Sequence, residues 1–240
     1  MIEFLEISDE DPALFHSPMV RAIEKTFSYI GEHGSIGLTP LKAFKRNFVH
    51  WAAAEFNWPH YSTEELFRFN KVLNEMDFFP VMSLHDLLIA LKIGRHYKGK
   101  FVLTKVGESL IGHPGKICGV VAPFFLFHMD HRIWARDDER IEINWDIFLN
   151  VLNVEAQNGA TGADIRKVIY GVRKPDDIYD SVMSDFYVEV LRPLSWMGLL
   201  SEHQPKVLSL PAERVFTKTP LWRTSLRLST DHDVRTATRH

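Results

Sequence analysis

One cysteine, Cys118, stands among 240 residues, so no internal disulfide can form, and its apolar surroundings mark it as a buried, inert thiol. No apolar run is long enough to cross a bilayer. The most apolar window, Ile117 to Met129, contains Pro123 and falls short of the roughly 20 residues a spanning helix needs, so a core element is expected there and no membrane partner. A basic excess is also missing. Lys and Arg number 28 against 31 Asp and Glu, and the formal charge of -3 excludes a protein that grips nucleic acid with its whole surface. The opening stretch, MIEFLEISDEDPALF, is acidic where a secretory signal would be basic and then apolar. A cytoplasmic location is the expectation.

Catalytic signatures are absent too. The chain has no GxGxxG, GxxxxGK[ST], GxSxG or HExxH, which leaves dinucleotide, P-loop, hydrolase and zinc-protease readings without support. His128-Met129-Asp130-His131 is the one cluster with ligand-like residue types, but it lacks the third and fourth ligands that zinc requires. No catalytic residues, no metal ligands and no cofactors are therefore expected.

What is present is an ordinary globular composition, 45% hydrophobic and 25% charged, with length enough for two domains. Capping signals punctuate it. Ser17-Pro18 pairs a side-chain acceptor with a proline whose missing N–H costs nothing in a first turn. Met19, Ile23, Phe27 and Ile30 then form one apolar stripe, and Gly34 offers a left-handed exit, which predicts a helix over about 18–32. Thr39-Pro40 repeats the start signal and predicts a second helix from Pro40. There Leu41, Phe44, Phe48, Trp51, Ala52 and Phe56 would share one face, and Lys42, Lys45, Arg46 and His50 another. Ser62 with Glu65 reads as a capping box opening a helix to about Met76, and Ser83 with Asp86 as the cap of a helix over 84–93. From Arg95 to Leu103, two short extended runs flank Lys98-Gly99, a hairpin signal, and Thr104 caps a further helix beyond them. Aromatic runs such as Phe78-Phe79 and Phe124 to Phe127 are expected to fill cores.

The charged segment Trp134–Asn144 separates two hydrophobic regions. The predicted division is a domain over 1–133, a connector over 134–144, a domain over 145–229 and a mobile tail over 230–240. In the second half, residues 145–157 form an amphipathic stretch stopped by Asn158-Gly159, Thr161 with Asp164 caps another helix, and a helical run over 177–197 bends around Pro193. Val102-Leu103-Thr104-Lys105 matches Val215-Phe216-Thr217-Lys218, which suggests one architecture used twice, with a longer wing in the second copy.

GLTPLKAFKRNFV (37–49) and KGKFVLTKVGESLI (98–111) resemble winged-helix modules of uncharacterised bacterial proteins, including some appended to plasmid-type reading frames. The likeness extends over residues 18–127, and by order of elements alone over 145–228. It implies a mainly α fold with small β-hairpins, two winged-helix-like domains in tandem, and contact with nucleic acid or protein.

Should the first half bind DNA, the helix before its hairpin would present Arg, Lys, Asn or Gln to bases. That stretch, SLHDLLIALKIG, offers His85, Asp86 and Lys92, and DFYVEVLRPLSWMG in the second half offers Arg192 alone, so both read as core helices. The better basic surface is Lys42, Lys45, Arg46 and His50 with Arg95, His96, Lys98 and Lys100, a candidate phosphate-contacting patch, although solvated surface charge explains the same residues. DNA is the first expected partner. The alternative is a protein-interaction or scaffold module, with a homodimer or another protein as partner, and an enzyme of unrecognised type stands third.

Overall fold

The computed structural model describes residues 2–132, 141–172, 181–205 and 209–237. Contacts gather the chain into two compact units, one over Ser8–Val121 and one joining the segment through Ile7 to the chain from Ala122 onward. That differs from the division at 133 read from sequence. The reason is partly that strand β1 (Glu3–Phe4) pairs with residues near the other end of the chain. Of the charged segment 134–144, residues 134–140 lie outside the described residues.

The first unit begins with Asp11, whose carboxylate accepts from the Ala13 N–H to start a 3-10 turn over Pro12–His16. Ser17 then accepts from the Val20 N–H with Pro18 in the first turn, giving α1 (Pro18–His33), which Gly34 closes at φ 74. Its predicted stripe, Met19, Ile23, Phe27 and Ile30, is buried. Strand β2 (Ile36–Gly37) comes next.

Thr39-Pro40 does not start a helix, which corrects the expectation of one from Pro40. The Thr39 N–H donates to the Ala43 carbonyl (2.8 Å) and its hydroxyl accepts from the Ala43 N–H (3.1 Å), so the side chain that would have capped a helix stabilises a turn instead. Lys42 sits in that turn at φ 66, and Leu38 bridges to Phe44 across it. Leu41, expected to lead the apolar stripe, is 92% exposed. Helix α2 (Arg46–Glu55) starts only after Lys45 and buries Phe48, Val49, Ala52 and Ala53.

Ser62 and Glu65 form the expected reciprocal box at the start of α3 (Thr63–Phe69). The helix stops at Phe69 instead of reaching Met76. Asn70 turns extended there, its amide donating back to the Leu66 carbonyl, and buried Leu73 draws the chain toward the core. After a 3-10 turn over Glu75–Asp77, α4 (Phe79–Ala90) starts ahead of the predicted Ser83, because Pro80 suits its first turn. Strands β3 (Gly94–Tyr97) and β4 (Lys100–Leu103) form the expected hairpin. Lys98 (φ 47) and Gly99 (φ 73) are both left-handed, as a tight two-residue turn requires. The sheet runs β2-β4-β3, all antiparallel, with Phe101 of β4 between Ile36 and His96. Thr104 caps the short α5 (Lys105–Glu108), and α6 (Pro114–Phe127) carries Cys118 and Pro123. Among the described residues, no helix is long and apolar enough to cross a membrane.

In the second unit, Asn144 caps α7 (Trp145–Glu155), and Gly159 (φ 84) turns the chain into β5 (Ala160–Thr161). Thr161 accepts from the Asp164 N–H to open α8 (Gly162–Tyr170), as its sequence predicted. Helix α9 (Ser181–Phe186) widens into a π-turn over Tyr187–Leu191 before α10 (Arg192–Trp196). The wider turn lies just before Pro193, which cannot supply a helical N–H, and the run continues through it to Trp196; residues 177–180 of the predicted stretch lie outside the described residues. Strands β6 (Leu200–His203) and β7 (Val215–Lys218) complete a sheet ordered β5-β7-β6, with a longer connection than the Lys98-Gly99 turn. Helix α11 (Pro220–Ser225) leads to β8 (Leu226–Arg227), which pairs antiparallel with β1, and to α12 (Asp231–Ala237). Residues just after 229, read from sequence as a tail, are tied down. Asn153 Nδ2 donates to Asp231 Oδ1 (2.9 Å), and the Thr230 N–H to Asn150 Oδ1 (3.1 Å).

Each unit is thus mainly helical around a small sheet of the same strand order. Phe216 of β7 lies between Ala160 and Glu202 as Phe101 lies between Ile36 and His96, and both rings are fully buried. The internal match read from sequence is therefore out of register by two positions, since it set Leu103, not Phe101, against Phe216.

Candidate functional site

The hairpin of the first unit collects exposed basic residues through strand pairing. The Lys45 N–H donates to the Gly37 carbonyl (2.9 Å), Gly37 pairs with Lys100, and Lys100 pairs with Tyr97. Directly opposed residues share a face, so Lys45, Lys100 and Tyr97 stand in one row on the side of the sheet away from Phe101, and Arg95 stands two positions along from Tyr97. Gly37 has no side chain in that row, and the Lys45 methylenes lie across it; an added Cβ would meet Lys45 Cδ at 3.0 Å. The Arg95 guanidinium and the Lys98 ammonium each lie 5.3 Å from the Tyr97 ring centroid, and Tyr97 is 48% exposed. An exposed aromatic ring with two cations beside it suits a phosphate-rich or π-bearing partner.

Four of the eight residues singled out from sequence, Lys45, Arg95, Lys98 and Lys100, are brought together here, and His96 alternates to the opposite face of the sheet. The other three have separate settings. Arg46 Nε donates to Asn74 Oδ1 (3.0 Å) and His50 Nε2 accepts from the Leu73 N–H (3.3 Å), so both fasten the segment between α3 and α4. Lys42 is exposed on its turn, within electrostatic range of His96. Tyr97 was missed, because an isolated tyrosine in a charged hairpin gives no sign of its neighbours until strand alternation is fixed.

A second constellation lies under the same sheet. Glu75 is buried, with Oε2 accepting from the Phe44 N–H (2.7 Å) and Oε1 from His85 Nδ1 (2.5 Å). The His85 ring stacks on Phe44, centroids 3.8 Å apart, and its Nε2 meets Nε2 of the exposed His96 at 2.8 Å. Sequence reasoning named His85 and His96 separately and passed over Glu75, which comes from another element. Burial, with Lys42 and His85 nearby, pushes the His96 pKa down, while Glu75 opposes the shift.

Helix α4, which precedes this hairpin, exposes Phe79, Asp86 and Ala90, and partial desolvation pushes the Asp86 carboxyl pKa up. It offers no arginine, asparagine or glutamine to a base edge. From α9 to α10 the second unit exposes only Ser181; Asp185 and Glu189 instead lie 3.7 and 3.5 Å from buried Arg132. Both stretches are core helices, as read from sequence.

Elsewhere polar groups are committed to structure. His131 meets the Phe125 carbonyl through Nε2 (2.7 Å), and burial pushes its pKa down to about 4. Lys218 donates to Asn153 Oδ1 (2.8 Å), which also accepts from Trp222 Nε1 (3.0 Å); burial lowers the lysine to about 8. Among the described residues, no three His, Cys, Asp or Glu converge to hold a metal ion.

Two domain models match the chain in sequence, the Y4jL N-terminal domain over residues 15–116 and the y4jL C-terminal domain over 135–220. "Uncharacterized protein y4jL" of Sinorhizobium fredii (strain NBRC 101917 / NGR234) is 34% identical over 155 residues, which cover 64% of this chain and 70% of that protein. The chain belongs to the y4jL family. No solved structure matches it. The two y4jL domain models follow one another as the two sheets do, β2-β4-β3 falling within the first and β5-β7-β6 within the second.

Proposed function

We propose that each unit is a winged-helix module and that the chain is a nucleic-acid-contacting protein, holding phosphates on the outer face of its first hairpin. The module assignment rests on element order. A helix, a short strand, further helices and a two-stranded wing recur in both units, with the short strand paired to the last strand of the wing. The contact is carried by one observation, the row of Lys45, Lys100, Tyr97 and Arg95 on a single sheet face, with Arg95 and the turn residue Lys98 beside the Tyr97 ring. Helix α4 presents Asp86 and Phe79 instead of base-reading donors, so the contact favours backbone over sequence.

Salt dependence tests this. Affinity for random duplex should fall steeply as salt rises, and the triple variant Arg95→Glu, Lys98→Glu, Lys100→Glu should flatten the log–log slope by roughly 2 to 3, at about 0.9 for each phosphate no longer neutralised. No binding at low salt, or binding unchanged in the variant, removes the proposal. A protein-interaction role is then the better reading, favoured by the exposure of Phe79 on α4 (39%), and sedimentation of the full chain would look for self-association.

A further inference from the structure

We infer that Glu75, His85 and His96 form a hydrogen-bonded relay that adds a switchable positive charge to the wing, on the face of the sheet opposite Lys45, Lys100 and Tyr97. This rests on the phosphate-contacting reading for its role, though the relay itself stands on geometry alone.

The tautomers follow from the hydrogen-bond network. The Glu75 carboxylate can only accept, so His85 Nδ1 carries the hydrogen of their bond. In neutral His85 that leaves a lone pair on Nε2, which accepts from the His96 Nε2–H. His96 Nδ1 is then the basic nitrogen left open, and no bond to it occurs among the described residues. A proton arriving at Nδ1 makes His96 an imidazolium whose Nε2–H still donates to His85. The Glu75 carboxylate balances the charge through the His85 ring, so protonation breaks no bond of the chain.

The surroundings set how this proton is felt. From the turn over 39–43, Lys42 opposes it, and from the 3-10 turn Glu75 favours it. From α4, His85 contacts His96 directly, with Asp86 its sequence neighbour. β4 contributes only the Phe101 ring, and β3 itself carries Arg95, with Lys98 at its turn. The second unit has no such device among its described residues. At the position matching His96, Glu202 takes the Arg214 guanidinium (2.7 Å) with Tyr187 beside it, a closed ion pair. An exposed imidazole backed by a buried carboxylate is thus particular to the unit whose wing is basic.

Two experiments on the full chain decide it. Nitrogen-15 NMR of the histidine rings should show His85 protonated at Nδ1, and His96 titrating below the ordinary imidazole range. Glu75→Gln should push that His96 midpoint lower still. A His85 hydrogen on Nε2 in the neutral chain, or a His96 midpoint indifferent to folded Glu75→Gln, overturns the relay. His96→Gln, at an exposed position, is the second variant. Duplex affinity measured at about pH 7.5 and again below the His96 midpoint read by NMR should gain more on acidification in the native chain than in His96→Gln, through the added charge on the wing. Equal gains overturn the switch. Absence of duplex binding at both pH values overturns the phosphate reading instead, and the NMR result then decides the relay.

Discussion

Thr104 and Thr219 hold the same place in the two units. Each hydroxyl donates to a carbonyl that ends the preceding helical segment, Thr104 to Lys92 (2.6 Å) and Thr219 to Gly198 (2.5 Å). Each backbone N–H bonds the next carbonyl, Ile93 or Leu199, at 3.0 Å, and each Oγ1 then accepts from the N–H two residues on. One side chain thereby joins the end of a strand, the turn after a helix and the start of the next helix.

Removing that hydroxyl should cost most where water cannot replace it. Thr219 is buried and Thr104 is partly exposed, so Thr219→Val should lose about 2 kcal/mol and Thr104→Val about 1. Urea unfolding followed by circular dichroism reads both, and Thr→Ser at either site should recover most of the loss. Equal costs would show that burial does not set the difference.

Gly94 is required by a neighbour. A Cβ built on it would fall 1.9 Å from Phe101 Cζ, and Phe101 is the buried centre of the β2-β4-β3 sheet. Gly94→Ala should destabilise the first unit by about 3 kcal/mol. Gly99→Ala meets open space and should cost only the strain of its positive φ. Differential thermal unfolding of the two variants checks the contrast.

Acid should weaken the second unit through His131. Its folded pKa of about 4 lies below the ordinary 6.5, so the unfolded chain takes up the proton first. The stability is whole above pH 6.5 and drains away as pH falls toward 4, to a total of roughly 3 kcal/mol. His131→Gln keeps a donor for the Phe125 carbonyl and should flatten this limb of the stability–pH curve. An unchanged limb would assign it to other groups.

Cys118 is buried, and desolvation pushes its thiol pKa up to about 12. Labelling by a thiol reagent at pH 8 should be negligible in the native chain and should rise in step with urea-induced opening. Rapid labelling without denaturant would contradict the burial.

Much of the local architecture was legible because its signals are short-range. Ser17-Pro18, the Ser62–Glu65 box, Lys98-Gly99 and Thr161–Asp164 each act within four residues, and each forms as read. Thr39-Pro40 misled because a threonine acceptor serves a helix start and a tight turn equally well, and here the pairing of Leu38 with Phe44 decides between them. The break after Phe69 and the start at Phe79 depend on tertiary burial of Leu73 and on Pro80. The two-position error between the repeats arose from matching identical letters, where the constant feature is a hydroxyl that closes onto a distant carbonyl. At the candidate site, the basic residues were visible individually, but only strand pairing separates Lys45, Arg95, Lys98 and Lys100 from Arg46 and His50. Glu75 meets His85 across an intervening turn and a helix start, which no periodicity announces.

The pairing of Glu3–Phe4 with Leu226–Arg227 imposes an order on the birth of the molecule. A ribosome delivering this chain releases Glu3–Phe4 more than 200 residues ahead of its partner strand, so those residues must wait, unpaired, while Ser8–Val121 emerges as an uninterrupted stretch able to fold meanwhile. Deleting residues 1–7 would accordingly damage the unit whose other residues begin at Ala122.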